Sequence, residues 1–200
     1  WEKDGIVPKD LWLKAGDIGL LCPNIPAEYG GIGGDFRFNV IIVEELARIG
    51  ATGPGFAVHS DIVAPYLINY SSKTQKQNYL PKMVKGEIIT AIAMTEPGTG
   101  SDLQNIKTKA AISKDNIVLN GSKTFITNGQ NADLVLVVAK TDTTKKAKGI
   151  SIVLCEKHRK GFKKGKNLEK IGLKAQDTSE LFFQDVRLPL ENILGHSGQG

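Results

Sequence analysis

The sequence is poor in cysteine, proline and aromatic residues, and it lacks long apolar runs. Its two cysteines, Cys22 and Cys155, belong to no CxxC pair and to no cysteine–histidine spacing typical of structural zinc. This usage predicts a reducing compartment and no metal site. The 8 prolines and the 6% aromatic content exclude collagen and proline-rich low-complexity chains. No run of about 18 apolar residues predicts a membrane-spanning helix.

The composition is otherwise that of an ordinary globular protein. The 200 residues are 40% hydrophobic and 24% charged, and they include 22 glycines. This length suits one large domain or two small ones, which bury roughly 70% of the surface that the unfolded chain exposes. The first residue is Trp1 rather than methionine, and no targeting peptide is visible. We therefore expect the chain to be a fragment of a longer protein.

Positive charge is concentrated in one stretch. Residues 141–175 contain eleven Lys or Arg residues and three acidic ones, whereas the whole chain has a net charge of +5. Such a stretch predicts a local basic face, which would suit a phosphorylated ligand or nucleic acid, or else a solvated lysine-rich surface. Aromatic residues do not alternate with the lysines, as stacking on bases would require.

The first 90 residues have the apolar spacing of helices. This spacing predicts a helix at 10–19 and another at 36–49, the second capped by Asp35. We expect the second helix to turn one set of residues inward, namely Val40, Val43, Leu46, Ala47 and Ile49.

Two further helices are predicted before residue 88. Residues 56–70 are apolar enough to form a deeply buried helix. Ser72 and Gln75 have the spacing of a capping box for the next helix. We expect Pro81 to interrupt that helix and Gly86 to end it, because proline lacks the helical N–H donor.

From Ile88 onward the apolar period changes to two, which predicts strands. Turn pairs such as Asp115-Asn116 and Asn120-Gly121 separate short runs. The predicted strands are 88–94, 106–112, 117–119, 134–139, 150–154 and 179–186. Because no helix lies between them, we expect an antiparallel barrel or sandwich rather than a doubly wound parallel sheet. The predicted fold class is α+β, with an all-helical domain at 1–88 and a β domain at 89–200.

The segment Met94–Asp102 is the richest local signal for chemistry. It follows an apolar strand and gathers hydroxyls and glycines into one turn. Backbone N–H groups in such a loop can face an anion or the edge of a cofactor ring, although ordinary tight turns use the same residues. The dinucleotide-binding fingerprint needs a third glycine and a following helix, whereas Leu103 and a strand come next. A Rossmann site is therefore excluded.

A second signal lies in Gly121–Gly129, where an aromatic residue and hydroxyls occupy the end of a strand. A hairpin would explain Asn128-Gly129 without any function. The hydroxyls of Thr95 and Thr127 would meet if their strand ends are neighbours in the sheet, and short neutral donors suit a redox ring.

The remaining candidates are isolated. His59, His158 and His196 show no spacing typical of a metal site or a catalytic triad, and we interpret them as structural. Glu96 is a conceivable general base. The turn around Pro97 favours instead a carboxylate that accepts hydrogen bonds from nearby backbone or from a lysine.

Taken together, the motifs resemble the acyl-CoA dehydrogenase family, and the resemblance runs from end to end of the chain in the same order. It is carried by Ala27–Gly31, Met94–Asp102, Asn120–Lys123, Ile126–Gly129 and Leu173–Gly195. Within the family the chain is most similar to the long-chain enzymes, on the segments Gly53–Phe56, His59-Ser60, Leu103-Gln104 and Lys174–Thr178.

The resemblance implies an N-terminal helical domain, a middle β-barrel domain and a C-terminal four-helix domain that this chain lacks. It also implies FAD, a homotetramer or homodimer, a fatty acyl-CoA substrate and electron-transfer flavoprotein as electron acceptor. Nucleic acid and a membrane span are not expected. Fatty-acid β-oxidation suggests the mitochondrial matrix, and a bacterial cytoplasm is the alternative.

Site residues follow from the same resemblance. Thr95 would bond the pyrimidine edge of the flavin, and Ser101 would reach the phosphate or the pantetheine of the substrate. Thr127 would lie near flavin N5, and Phe125 would cover the ring where many relatives carry tryptophan. The full implied flavin set is Ile92, Ala93, Met94, Thr95, Gly100, Ser101, Phe125, Ile126 and Thr127.

The implied reaction is α,β-dehydrogenation of the thioester to trans-2-enoyl-CoA. A carboxylate removes the α-proton, and donors to the thioester carbonyl acidify that proton. In the family this base is a glutamate of the C-terminal domain, so we expect the catalytic residue beyond Gly200 and an isolated chain that holds flavin poorly. The alternatives are an acyl-CoA oxidase and a non-catalytic module that binds CoA or nucleic acid.

Overall fold

The computed structural model describes all 200 residues, and the chain divides into two compact units. The first unit comprises Trp1–Thr90 and Glu169–Asp177, and the second comprises Ala91–Leu168 and Thr178–Gly200. The segment 169–177 thus packs with the helical residues, and the predicted domain bounds of 1–88 and 89–200 stay a prediction. None of the helices is long and apolar enough to cross a membrane.

The first unit contains four α-helices, and their N-termini follow the predicted caps. The side chain of Asp35 accepts a hydrogen bond from the Arg37 N–H at 3.0 Å. Ser72 and Gln75 exchange the two hydrogen bonds of a capping box. The helices are α1 (Lys9–Asp17), α2 (Phe36–Arg48), α3 (Ala64–Tyr70) and α4 (Lys73–Val84).

Helix α4 runs through Pro81, so the predicted interruption was wrong. The residues on either side of Pro81 explain this, because Leu80, Met83 and Val84 are buried and their packing holds the last turn in helical form. The predicted end is confirmed, because the helix stops just before Gly86, which adopts a left-handed φ of +68°.

The predicted inner side of α2 is right for Leu46, which packs against the core, and wrong for the other predicted positions, which are exposed. Val40 and Ile49 are 49% and 74% exposed, and Asn39 is the one buried residue of the helix. Apolar residues occupy nearly every side of α2, so their spacing did not define a face. The residues that face inward are Asn39, Ile42 and Leu46.

The predicted helix at 56–70 contains a π-helical stretch, Val58–Val63, directly before α3. Its His59 is fully buried, with Nδ1 accepting from the Thr90 N–H at 3.2 Å and Nε2 lying 3.1 Å from the Met83 carbonyl. The ring of Trp12 packs edge-on against His59. The structural interpretation of His59 is confirmed.

The second unit is built on one eight-stranded sheet. Along the main path of the sheet, neighbouring strands are antiparallel except β2 and β4, which pair in parallel. The order is β6-β7-β3-β2-β4-β5-β8, with β1 paired to β4 off this path. The strands are β1 (Thr90–Ala93), β2 (Lys109–Ile112), β3 (Ile117–Thr127), β4 (Leu134–Lys140), β5 (Ile150–Glu156), β6 (Phe162–Asn167), β7 (Thr178–Leu188) and β8 (Ile193–Leu194). The predicted fold class is confirmed.

Turn predictions in this unit had mixed outcomes. The Asp115-Asn116 turn joins the paired strands β2 and β3, as expected. Asn120-Gly121 is not a turn, because β3 continues through it with a register shift and Gly121 at φ +146°. Asn128-Gly129 ends β3 in a turn, but β3 and β4 are not paired, so the predicted hairpin is wrong.

Two strands were missed. In β6, only Phe162 is buried, and lysines fill most other positions, so no alternation of apolar residues was visible. β8 has two residues. The core of this unit lies under the sheet, where Leu119, Val137 and Val153 are fully buried.

Candidate functional site

The loop after β1 forms a tight turn. Glu96 and Thr99 exchange two backbone hydrogen bonds of 3.0 Å, so Pro97 and Gly98 form an exposed tip. Nothing lies within 4 Å of the position that a Cβ would occupy at Gly98 or Gly100. A cavity of about 470 Å³ opens beside this loop. The loop therefore presents backbone and space rather than a packed surface.

Glu96 anchors the loop and is not a free base. Its side chain is 6% exposed, and its carboxylate accepts from the N–H groups of Lys107 at 2.6 Å and Thr108 at 2.9 Å. Burial alone would raise the pKa of Glu96, but these hydrogen bonds and that of Lys123 outweigh it and lower the pKa. The predicted alternative, a carboxylate bonded to backbone and lysine, is confirmed.

Lys123 completes this anchor. Its side chain is fully buried, and its Nζ donates to the Glu96 carboxylate at 3.0 Å and to the Met94 carbonyl at 2.7 Å. Burial lowers the pKa of Lys123 more than the nearby carboxylate raises it. The adjacent Thr124 N–H donates to the Thr95 carbonyl at 2.9 Å. Lys123 thus joins the two candidate segments, 94–95 and 123–127.

Sequence reasoning missed the role of Lys123, although a signal was present. In β3 the inward positions alternate through Ile117, Leu119 and Gly121 and reach Lys123. A lysine at an inward strand position needs a buried acceptor. Because Glu96 was already a candidate for a lysine partner, the two could have been paired from sequence.

Phe125 stands out at the end of β3. It has a left-handed φ of +58° and is 66% exposed, directly at the register shift between Lys123 and Ile126. A bulge turns a side chain away from the regular strand alternation. A large aromatic side chain held outward in this rare conformation suits contact with a planar ring.

The structure separates the implied flavin residues by exposure. Ala93 and Ile126 are buried in the core, and they offer main-chain groups only. Gly100, Ser101 and Phe125 are exposed. The others are half-buried, namely Ile92, Met94, Thr95 and Thr127.

The hydroxyl groups of Thr95, Ser101 and Thr127 make no hydrogen bond within the chain, so they are available to a ligand. That the hydroxyls of Thr95 and Thr127 meet stays a prediction. The contacts between their segments are the hydrogen bonds from Thr124 to Thr95 and from Lys123 to Met94. Neutral hydroxyls, main-chain groups and one exposed aromatic ring fit the uncharged, planar part of a flavin.

The basic residues of 141–175 belong to both units. Lys170 and Lys174 belong to the first unit, whereas the others belong to the second. Lys164 is engaged internally, since its Nζ donates to the carbonyls of Gln130 at 2.6 Å and Ala132 at 2.7 Å. The local basic face stays a prediction for the other basic residues. No group of three or more His, Cys, Asp or Glu side chains is placed to hold a metal ion.

Both halves of the chain match domains of one family. Residues 1–87 match the family described as acyl-CoA dehydrogenase, N-terminal domain, and residues 91–186 match acyl-CoA dehydrogenase, middle domain. The long-chain specific acyl-CoA dehydrogenase, mitochondrial, of Rattus norvegicus is 54% identical over 202 residues, which cover 100% of this chain and 47% of the rat protein. The chain spans about half the length of the curated relatives it matches.

Solved structures of the same family are also similar to this chain. The crystal structure of acyl-CoA dehydrogenase from Geobacillus kaustophilus superposes with a TM-score of 0.97 at 51% identity, covering 100% of this chain and 53% of that one. A glutaryl-CoA dehydrogenase from Mycobacterium smegmatis in complex with FADH2 has a TM-score of 0.90 at 30% identity, covering 100% of this chain and 50% of that one.

Proposed function

Because the chain belongs to the acyl-CoA dehydrogenase family, we propose that it takes part in the FAD-dependent α,β-dehydrogenation of a fatty acyl-CoA to trans-2-enoyl-CoA. The observation that carries this proposal is the order of the two matched domains over residues 1–87 and 91–186. The loop after β1 and the end of β3, joined by Lys123, lie within the middle domain so matched.

We propose FAD as the cofactor, because a relative is described in complex with FADH2 and the donor set fits a flavin. Thr95, Ser101 and Thr127 would hold it with their hydroxyls, and Phe125 would contact its ring. When bound, the flavin would supply the acceptor for the hydride from the β-carbon. Ser101 would also contact the substrate.

The chain's own contribution is then to bind the flavin and the substrate and to orient them. The Glu96–Lys123 ion pair holds the backbone of Met94 and Thr95 against β3, so that donors on both segments keep a fixed spacing. Glu96 has its oxygens engaged and cannot remove a proton. We therefore propose that the base is a glutamate in a C-terminal part beyond Gly200, as in the family.

The finer features of the proposal rest on the relatives. The name of the rat protein, long-chain specific and mitochondrial, supports a long-chain acyl group and a mitochondrial location, for which we propose the matrix. The Geobacillus structure supports a bacterial source, for which the cytoplasm is the alternative. A homotetramer or homodimer and electron transfer to electron-transfer flavoprotein complete the proposal.

The test compares the 200 residues alone with the same residues extended by the natural sequence that follows Gly200. Both are mixed with FAD, and visible absorption is recorded before and after anaerobic addition of palmitoyl-CoA. We expect the extended protein to bind FAD and to be bleached by the substrate, and the 200 residues alone to bind FAD weakly and not to turn over.

Other outcomes would contradict the proposal in distinct ways. Failure of the extended protein to bind FAD would reject the flavin function. Peroxide production in air at the rate of bleaching would indicate an acyl-CoA oxidase. DNA binding that falls steeply with salt would favour a nucleic-acid module.

A further inference from the structure

A groove in the first unit lies between α2 and the π-helical stretch Val58–Val63. Its volume is about 170 Å³, and its walls are mainly apolar, with Ile42 and Leu46 on one side and Pro54 and Phe56 on the other. A cavity of about 150 Å³ is large enough for benzene, so the groove has room for a short alkyl chain. No lysine, arginine or histidine side chain lines it.

Four polar side chains also line the groove, namely Asn39, Thr52, Ser60 and Asp61. Ser60 is already engaged, because its Oγ accepts from the Cys22 N–H at 3.0 Å and is also hydrogen-bonded to the Cys22 thiol. The Thr52 side chain is exposed, and its hydroxyl can donate or accept, so it does not distinguish between ligands. The choice of ligand therefore depends on Asn39 and Asp61.

Asn39 and Asp61 leave two acceptors unfilled. Asn39 is 2% exposed, and its Nδ2 donates to the Asp61 carboxylate at 2.5 Å, whereas its Oδ1 is buried and has no partner. The second carboxylate oxygen of the half-buried Asp61 accepts no hydrogen bond within the chain. Burial raises the pKa of Asp61, with the hydrogen bond from Asn39 opposing it. An unpaired amide oxygen and a partly desolvated carboxylate thus lie side by side, and a complementary ligand would recover the free energy that this costs.

An ammonium group matches this pair, because it carries three donors and a positive charge. A hydroxyl group has one donor and no charge, so it satisfies only one of the two acceptors. A carboxylate only accepts, and the charge of Asp61 repels it. We propose that the groove is a binding site for a primary alkylammonium ion, with its ammonium group on Asn39 and Asp61 and its alkyl chain between the apolar walls. The proposal concerns the first unit alone and does not depend on the flavin function.

The test is a titration of the ¹⁵N-labelled 200-residue chain with hexylammonium, 1-hexanol and hexanoate at neutral pH, followed by NMR. We expect hexylammonium to shift the side-chain amide signals of Asn39 and the backbone signal of Asp61 saturably. The alcohol should bind about ten-fold more weakly, because it lacks the charge that strengthens a hydrogen bond to Asp61. Hexanoate should cause no saturable shift.

Variants identify the residues responsible. Asp61→Asn keeps the side-chain size but removes the charge, so it should weaken hexylammonium binding about ten-fold and remove its advantage over 1-hexanol. The matched control is Asp10→Asn, the same change of charge at an exposed position of α1 outside the groove, which should leave binding unchanged. Asn39→Leu removes the unpaired oxygen and should weaken hexylammonium binding several-fold, and Asp61→Asn supplies the readout if Asn39→Leu does not fold.

Several outcomes would overturn the proposal. These are unsaturable shifts with hexylammonium, shifts confined to residues outside the groove, binding of 1-hexanol as tight as that of hexylammonium, and unchanged binding in a folded Asp61→Asn variant. Signals that shift with protein concentration and block hexylammonium would show that a lysine of a second copy of the chain occupies the groove, and they would also overturn it.

Discussion

At the scale of single residues, the charged side chain of Lys123 joins two segments of the second unit. Its ammonium group is fully buried and binds one carboxylate and one carbonyl. Charges leave water at a high cost in free energy, which only close partners offset. The pair is therefore sensitive to loss of either member.

Replacing Lys123 by methionine should destabilise the chain by about 3–5 kcal/mol, because the Glu96 carboxylate would stay buried without its cation. Urea unfolding measures this change. The double variant with Glu96→Gln should lose less than the sum of the two single variants, since both partners are then neutral.

Lys109→Met is the matched control, because Lys109 is exposed on β2. It should change the free energy of unfolding by less than about 0.5 kcal/mol. A loss below about 1 kcal/mol for Lys123→Met would contradict the importance of the ion pair.

Phe125→Ala tests the proposed contact with a flavin ring. Since Phe125 is 66% exposed, the change should leave the free energy of unfolding nearly unaltered. FAD affinity of the extended protein should fall about five-fold, which corresponds to ~1 kcal/mol of lost aromatic contact. Fluorescence titration with FAD measures this. Phe182, another exposed phenylalanine of the second unit, supplies the control Phe182→Ala, and equal losses in both variants would count against a specific contact.

The two thiols should be inert in the folded chain. Burial raises the pKa of Cys22 and that of Cys155 from 9.0 to about 12 in each case, so the reactive thiolate is scarce at pH 8. A thiol reagent such as DTNB should label neither residue in buffer and both in urea.

The raised pKa values of the two thiols also make the free energy of unfolding depend on pH. Unfolded thiols lose their protons near pH 9, whereas the folded ones keep them to about pH 12. The folded state therefore binds more protons in this interval. The stabilising contribution is complete below pH 9 and is lost as the pH rises toward 12. Rapid labelling of both thiols in the native protein at pH 8 would show that they are less buried than described.

At the scale of elements, the start of α4 depends on its capping box. Ser72→Ala removes the acceptor for the Gln75 N–H and should destabilise the chain by about 1 kcal/mol. Thr74→Ala, an exposed change in the same first turn, should cost at most a few tenths of a kcal/mol. Thermal unfolding of both variants makes the comparison, and equal effects would mean that the cap contributes little.

Elements that depend on neighbouring residues could be predicted from the sequence, whereas elements that depend on contacts between distant residues could not. The caps at Asp35 and Ser72 depend on neighbours within three residues, and they were predicted. The face of α2 and the passage of α4 through Pro81 depend on distant packing, so local patterns gave the wrong answer. Strand β6 shows few apolar positions because lysines occupy them, and it was missed for that reason.

The candidate site was only partly predictable. Its loop and the end of β3 were identified by composition and resemblance, but the ion pair that joins them spans 27 positions of sequence. The bulge that turns Phe125 outward is set by the pairing of β3 with β7, which a single strand's sequence does not reveal. Asn39 was missed because apolar neighbours surround it in α2.

At the scale of the whole molecule, the segment Glu169–Asp177 connects strands β6 and β7 but belongs to the first compact unit. Strands β6 and β7 belong to the second unit, yet Ala175 between them is buried in the core of the first with Val7 and Phe56. The carboxylate of Glu2 accepts from the Ala175 N–H at 3.2 Å.

Gly53→Val should release this segment. A Cβ at Gly53 would lie 2.7 Å from the Cβ of Ala175 and 3.0 Å from a methyl group of Val7, which forces a shift. We expect a loss of about 1–3 kcal/mol in urea unfolding and faster cleavage by trypsin after Lys170 and Lys174. The control Gly98→Val has open space and should leave both unchanged. Unaltered cleavage in Gly53→Val would show that the segment's packing does not depend on this contact.

The connection between β6 and β7 also constrains which residues can change independently during evolution. Its ends meet, since the Leu168 N–H donates to the Thr178 carbonyl at 2.8 Å, so the nine residues between them can vary without disturbing the sheet. What constrains them is the first unit. A recombination between two diverged genes near codon 90 would join the helices of one parent to the hairpin loop of the other. Residues such as Gly53 and Ala175 must then be compatible across the breakpoint, and we expect them to be inherited together.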